Sequence, residues 1–146
     1  MDTSKLNIAV NKSLEIDIKN HLEKCNSLFK PPLDSYIDLV IYSKKLYEYA
    51  NRYEVFYDGF LIGLVAVYFS SNKGFISNFS LEKEWIGRGV SDMLMKVSID
   101  DFKKKNIEQI RLEVFKENSR ALNFYYRYGF VVEYESLQKL TLIKTL

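Results

Sequence analysis

The 146-residue sequence has one cysteine, one histidine, two prolines and six glycines. A single cysteine, Cys25, excludes an intrachain disulfide framework and a cysteine-cluster zinc site. A single histidine, His21, removes most histidine-based metal sites and every triad needing a second imidazole, so no metal is expected. Charge of one sign is also lacking. The 21 Lys+Arg against 19 Asp+Glu leave a net charge of +2, too little to argue for a nucleic acid or an anionic membrane as partner. The longest strongly apolar run, Phe60 to Phe69, includes Gly63 and falls well short of the roughly 20 residues a membrane-spanning helix needs. The opening Met-Asp-Thr-Ser-Lys lacks the basic start and apolar stretch of a secretory signal. A cytoplasmic location is therefore expected, and a free thiol agrees with it.

What is present is hydrophobic and aromatic. Hydrophobic residues make up 47% of the chain, with 11 tyrosines, 10 phenylalanines and one tryptophan. That is enough for one core without staples, and the absence of repeats or flexible linkers predicts a single domain over residues 1–146. Leu14, Ile18, Leu22, Cys25 and Phe29 recur at helical spacing, with Ser13 as the expected cap. His21 has no partner in view on this helix and is expected at the surface. Pro31-Pro32 makes a firm break, after which Asp34 or Ser35 is expected to cap a second helix running to about Asn51.

The pattern then changes. Tyr53 to Tyr57 is β-rich and leads into Asp58-Gly59, a dipeptide suited to a two-residue hairpin turn. Phe60 to Phe69 reads as the return strand, and Gly74 to Leu81 as a third. Helical spacing resumes at Val90, Met93, Leu94 and Val97, and the run Asp100 to Lys105 is expected to be a solvated helix end with its lysines near the negative pole of the dipole. Ile107 to Phe115 reads as a strand. Asn118 or Ser119 then caps a helix whose apolar stripe is Ala121, Phe124, Tyr125 and Tyr128, with Gly129 free to take positive φ at its end. Phe130 to Tyr134 and Leu140 to Ile143 close the chain as strands. The order predicts an α/β (α+β) domain, with a mixed, mostly antiparallel sheet flanked by helices.

Two segments carry chemistry. Between a strand and an amphipathic helix lies Trp85-Ile86-Gly87-Arg88-Gly89-Val90-Ser91. Its glycines uncover the backbone, and the helix that follows presents unpaired N–H groups at its positive end, an arrangement suited to phosphate. Arg88 adds a charge from outside. The same pattern also serves as a plain tight connection. It is not a dinucleotide-binding fingerprint, because the third glycine is missing, nor a Walker loop, because no Gly-Lys-Ser/Thr follows. The second segment is Leu112-Glu113-Val114-Phe115-Lys116-Glu117-Asn118, then Arg120-Ala121, Tyr125 and Gly129-Phe130.

In order and spacing, these two segments resemble the GCN5-related N-acetyltransferase (GNAT) family over about Tyr53 to Tyr134. The resemblance implies acetyl-CoA as cofactor and acyl donor, and a small-molecule or peptide amine as acceptor, with transfer by direct attack in a ternary complex. It implies that the pyrophosphate sits on the turn from Ile86 and Gly87 through Arg88, Gly89 and Val90 to Ser91. The pantetheine arm would run beside the strand ending at Leu81, and Asn118, Ala121, Phe124 and Tyr125 would face the cofactor. Tyr125 matches the tyrosine that protonates the leaving thiolate. Glu113 is the candidate base, partly buried or acting through a water; Asn78, Ser80 and Glu82 are alternative water holders. Phe29, Tyr36 and Tyr42, together with Asn78 and Ser80, are candidates for the acceptor site. Cys25 has no expected role.

Three positions depart from the family pattern: Ile86 where Arg or Gln is usual, Ser91 where Gly or Ala is usual, and Lys83 where proline is common. They motivate the alternative of a non-catalytic module that only holds CoA. Glu113 also suits the polar face of a strand, and Asn118 suits a plain helix cap. The edges of the last strands would permit a homodimer.

Overall fold

The computed structural model describes residues 3–146. Seven strands and four helices follow in chain order: β1 (Leu6–Val10), α1 (Glu15–Cys25), α2 (Leu39–Tyr49), β2 (Asn51–Tyr57), β3 (Phe60–Ser70), β4 (Lys73–Leu81), α3 (Val90–Lys104), β5 (Gln109–Phe115), α4 (Ser119–Arg127), β6 (Val131–Glu135) and β7 (Lys139–Thr145). They form one sheet in the order β1-β2-β3-β4-β5-β7-β6. Every pairing is antiparallel except β4 with β5. The expected mixed, mostly antiparallel sheet is what forms.

The central strand explains the long apolar run. Along β3, Leu61, Leu64 and Ala66 join a core with Ile18 and Leu22 of α1 and Leu46 of α2. Ile62, Val65 and Val67 face the other way, into a core with Leu94, Met95 and Phe102 of α3. A strand covered on both faces reads as continuous hydrophobic sequence rather than alternation. Gly63 is needed here for space, since a Cβ would lie 2.9 Å from Leu94 Cδ1. The hairpin before it is built as the sequence predicts, with φ of 49° at Asp58 and 82° at Gly59, the pair of positive values a type I′ turn requires.

The β4–β5 pairing positions the site. It covers only Lys73–Ile76 against Gln109–Leu112. From Ser77 onward β4 has no strand partner on that side, while β5 continues to pair with β7 as far as Phe115. Opposite β3, Ala66 pairs with Asn78 and Val67 with Ile76, leaving Ser77 as an extra residue in a β-bulge. Bulges bend a strand and re-aim its side chains. Two parallel neighbours thus splay apart, and the unpaired backbone of β4 faces the gap.

The N-terminal part corrects several expectations. β1, for which the sequence reading has no counterpart, is a five-residue edge strand paired to β2. Ser13 does not cap α1, because its hydroxyl and N–H are taken by Glu54 of β2. Instead the Leu14 N–H donates to Asp17 Oδ2 at 2.8 Å, and Leu14 itself is exposed. Phe29 lies beyond the end of α1. Residues 33–35 form a separate 3₁₀ turn; α2 starts only at Leu39, where Asp38 Oδ1 accepts from the Ile41 N–H at 3.0 Å. His21 is the largest correction, at 1% exposure. It lies on the same face of α1 as Ile18, Leu22 and Cys25, and β4 supplies the polar partner that permits its burial. Among the described residues no helix is long and apolar enough to cross a membrane.

Candidate active site

After β4 the chain makes a 3₁₀ turn at Lys83–Trp85 and reaches the two glycines. Gly87 and Gly89 both have φ of 82°, a value costly for other residues, and a Cβ at either would meet no atom within 4 Å. Gly89 is the N-cap of α3 and offers no side-chain cap to the helix. The first amides of α3 are therefore left without a side-chain cap at the positive end of its dipole. Trp85 and Val90, buried on either side, anchor the turn to the core.

This turn forms one wall of a cavity of about 560 Å³. Phe79, Ser80 and Leu81 of β4 line its floor, Ile86, Gly87, Gly89, Ser91 and Asp92 one side, and Asn118, Ala121, Phe124 and Tyr125 the other. Two expected residues are not brought in by their side chains. Val90 faces the core, so only its backbone is available. Arg88 turns away, donating to the Glu84 carbonyl at 2.9 Å and lying over the Trp85 ring. Cations reach the cavity instead from α4, through Arg120, which the sequence motif contains without a role, and Arg127, which the sequence reading does not include. Positions 120, 123, 124 and 127 share one stripe of that helix, a spacing that was available to find them.

A second cavity, of about 240 Å³, opens on the far side of the β4–β5 gap. Its walls are aromatic: Phe29, Tyr36, Tyr42, Phe75, Phe79 and Phe115, with Asn78, Glu113, Lys30 and Lys139 supplying polar groups. Tyr42 fixes the bulge beneath it, its hydroxyl donating to the Ser77 carbonyl at 2.9 Å. Tyr36 stands edge-on to Phe115, with ring centroids 5.0 Å apart. Glu113, expected to be partly buried or to act through a water, has its side chain 48% exposed and 3.7 Å from Lys139 Nζ.

The two cavities meet at one place. Phe29, Phe79, Asn118, Ala121 and Tyr125 line both. Asn118 is indeed the cap of α4, its Oδ1 accepting from the Ala121 N–H at 3.3 Å, which fixes the first turn of the helix that carries Tyr125. The Tyr125 ring is packed edge-on against Phe79, Phe124 and Phe130. Burial pushes its hydroxyl well above the ordinary tyrosine range. It remains a proton donor across the whole neutral range.

A polar row runs along β4 toward α1. Asn78, Ser80 and Glu82 occupy alternate positions and are buried. Ser80 Oγ donates to Asn78 Oδ1 at 2.7 Å and lies 2.8 Å from His21 Nε2. Glu82 Oε1 is 3.8 Å from His21 Nδ1 and 3.8 Å from Lys24 Nζ. Cys25 Sγ sits 3.7 Å from the imidazole; burial, with the nearby Glu82 and Glu84 charges, pushes the thiol up to about 12. A thiol so held is inert as a nucleophile near neutral pH.

Residues 17–130 match the model of the acetyltransferase (GNAT) family. N-alpha-acetyltransferase 30 of Saccharomyces cerevisiae is 34% identical over 59 residues, 40% of this chain and 34% of that protein. Spermidine N(1)-acetyltransferase of Thermoplasma acidophilum is 33% identical over 78 residues, 53% of this chain and 48% of that protein. The matched stretch thus spans less than half of either relative. Among solved structures, the PaiA N-acetyltransferase of T. acidophilum in complex with coenzyme A superposes with a TM-score of 0.75 at 21% identity, covering 96% of this chain and 99% of that one.

Proposed function

The chain belongs to the GNAT acetyltransferase family, and from that premise we propose that it transfers an acetyl group from acetyl-CoA to a primary amine by direct attack in a ternary complex. The observation that carries this reading is the meeting of the two cavities at Tyr125. One cavity has the features an acyl-CoA needs, the other those of an amine acceptor, and a proton donor stands between them.

The residues present fit acetyl-CoA, which supplies the acetyl thioester. The open glycine turn and the α3 amides suit a pyrophosphate, with Arg120 and Arg127 in the same cavity. The unpaired edge of β4 from Ser77 to Leu81 offers backbone groups to the pantetheine amides, as a sheet edge does to a peptide. Ile86 and Ser91 leave the amide donors untouched. An N–H near Leu81 serves to polarise the thioester carbonyl. Tyr125 gives its proton to the leaving thiolate, and its raised position keeps it protonated until that moment.

The aromatic cavity favours an amine on an apolar body. Its one carboxylate, Glu113, is already ion-paired to Lys139, and Lys30 adds a second cation to the wall. A polyamine would meet two positive charges there. A peptide α-amine with an apolar first side chain brings a single charge past those cations and meets rings on the walls.

Thermal unfolding with acetyl-CoA and thiol release over a panel of amines test this reading. Ligand at about 100 times its dissociation constant adds about 2.7 kcal/mol, a rise of roughly 5–11 °C for a domain of this size. No rise at millimolar acetyl-CoA rejects the reading; a rise without thiol release from any amine favours a module that only holds CoA. The Tyr125→Phe variant should bind acetyl-CoA as the parent does and lose about 10²–10⁴-fold in kcat. A loss below threefold removes Tyr125 from the chemistry.

A further inference from the structure

An alkyl ammonium entering the aromatic cavity must lose a proton before its nitrogen can attack, and the group that takes it has to be reachable and chargeable. We propose that Ser80, His21 and Glu82 form the path by which that proton leaves the site: Ser80 touches the amine, His21 accepts through Ser80, and Glu82 faces the charge that results. The proposal rests on the acetyltransferase reading and adds the proton acceptor to it.

The geometry is that of a relay. Ser80 lines the glycine-turn cavity, and its neighbour Asn78 lines the aromatic one. The Ser80 hydroxyl has one hydrogen and two acceptors in reach, Asn78 Oδ1 at 2.7 Å and His21 Nε2 at 2.8 Å. Rotating the O–H from the amide to the imidazole opens the path. Behind the ring, Glu82 Oε1 is buried without a hydrogen-bond partner and lies 3.8 Å from Nδ1. A buried carboxylate oxygen left unsatisfied is costly, and one aimed at an imidazole gains most when the ring is charged. Imidazole is also the side chain whose ordinary titration lies nearest neutral pH.

The groups around the ring are few. Cys25 and Lys24 come from α1, Ser80 and Glu82 from β4 and the residue after it, and Glu84 acts from the following turn. The buried residues of α2 and β3 packed beside α1, among them Leu46, Leu64 and Ala66, carry no charge. Lys24 touches the same oxygen of Glu82 and is largely exposed, so it marks the exit to solvent.

The step balances as follows. Ser80 Oγ takes a proton from the ammonium as its own passes to His21 Nε2, and the amine nitrogen keeps the electron pair with which it bonds to the acetyl carbon. A second nitrogen proton replaces the one Tyr125 gives to the thiolate. The products are an amide, a thiol and one proton, released from His21 past Glu82.

The test compares acceptors by basicity. Parent, His21→Gln, Ser80→Ala and Glu82→Gln proteins are assayed with a strongly basic primary amine, charged at pH 7, and with a weakly basic one, already neutral there. Each variant is first checked for the parent's acetyl-CoA-induced thermal shift. His21→Gln and Ser80→Ala should lose about 10²–10⁴-fold in kcat/KM for the strong base, lose the acidic limb of its pH profile, and keep most of the rate with the weak base. Glu82→Gln should lower kcat/KM for the strong base and keep most of the rate with the weak one. Equal losses with both amines, or an unchanged limb, overturn the relay while leaving the transferase reading intact. Should His21→Gln fail to fold, Ser80→Ala carries the test alone. No transfer by the parent to either amine overturns both.

Discussion

Two buried charged clusters lie on either end of α1, and they are built on opposite lines. Before the helix, Arg52 and Glu54 of β2 are nearly saturated. All three guanidinium nitrogens donate, to Ser13, to Glu54 and to the carbonyls of Leu46, Tyr47 and Ala50. The Glu54 carboxylate accepts from the N–H groups of Lys12 and Ser13 and from the Ser13 hydroxyl. This pair ties the end of α2, the start of α1 and the sheet together, and has no vacant position for a proton. Toward the other end, His21 and Glu82 face each other at 3.8 Å with Glu82 Oε1 lacking a hydrogen bond. Burial is similar; satisfaction is not. A saturated cluster holds structure, whereas one left short beside a cavity is available to chemistry.

Breaking the saturated cluster should have the largest effect on stability. Arg52→Met leaves Glu54 charged and buried without its partner, a change that costs about 3–5 kcal/mol. Urea unfolding of the variant measures this, and the folded fraction should keep the parent's acetyl-CoA response. A cost below about 1 kcal/mol would mean that the cluster relaxes and that saturation is not what holds this end of α1. The corresponding change in the unsaturated cluster is Glu82→Gln. It removes a carboxylate with no hydrogen bond on its buried oxygen and keeps the shape, so its effect should stay within about 1 kcal/mol in either direction. A cost near that of Arg52→Met would make Glu82 a structural residue and take away its reason for facing His21.

The same contrast separates what was legible in the sequence from what was not. Features set by local chemistry could be read directly: the Asp58-Gly59 hairpin, the glycine turn before α3, the Asn118 cap and Gly129 at the end of α4. Tyr125 and Asn118 are brought together, as the family motif implies. Features set by distant partners could not. Ser13 looks like a helix cap until Glu54, 41 residues away, takes its hydroxyl. His21 has the spacing of a buried residue, three after Ile18 and four before Cys25, but its polarity argued for the surface because Ser80 lies 59 residues away. Arg88 stands beside the glycines in sequence yet packs on Trp85. The opening between β4 and β5 depends on a bulge at Ser77, for which no residue type in the strand gives a signal.

A third buried-to-exposed contact offers the smallest test. The run Asp100 to Lys105 reads as a solvated helix end, but Asp101 accepts hydrogen bonds from the Tyr53 hydroxyl under α3 and from Lys105 Nζ at 2.7 Å. Burial pushes the Asp101 carboxyl up, yet the hydrogen bonds from Lys105 and Tyr53 and the charges of Lys105 and Lys104 outweigh it and hold the group below the usual carboxylate range. A carboxyl lowered in the folded state stabilises fully above its unfolded value, about 3.9, and that contribution disappears as pH falls through the lower folded value. Asp101 is 29% exposed at its side chain, so screening keeps the effect well below that of the saturated pair. Asp101→Asn should therefore lower the urea midpoint slightly at pH 7 and by less at pH 3, flattening the acid side of the stability profile. An equal loss at both pH values would mean that the Tyr53 contact matters as a neutral hydrogen bond, independent of the carboxylate's charge. In that case the contact would belong with neither cluster on α1, since its worth would not depend on charge.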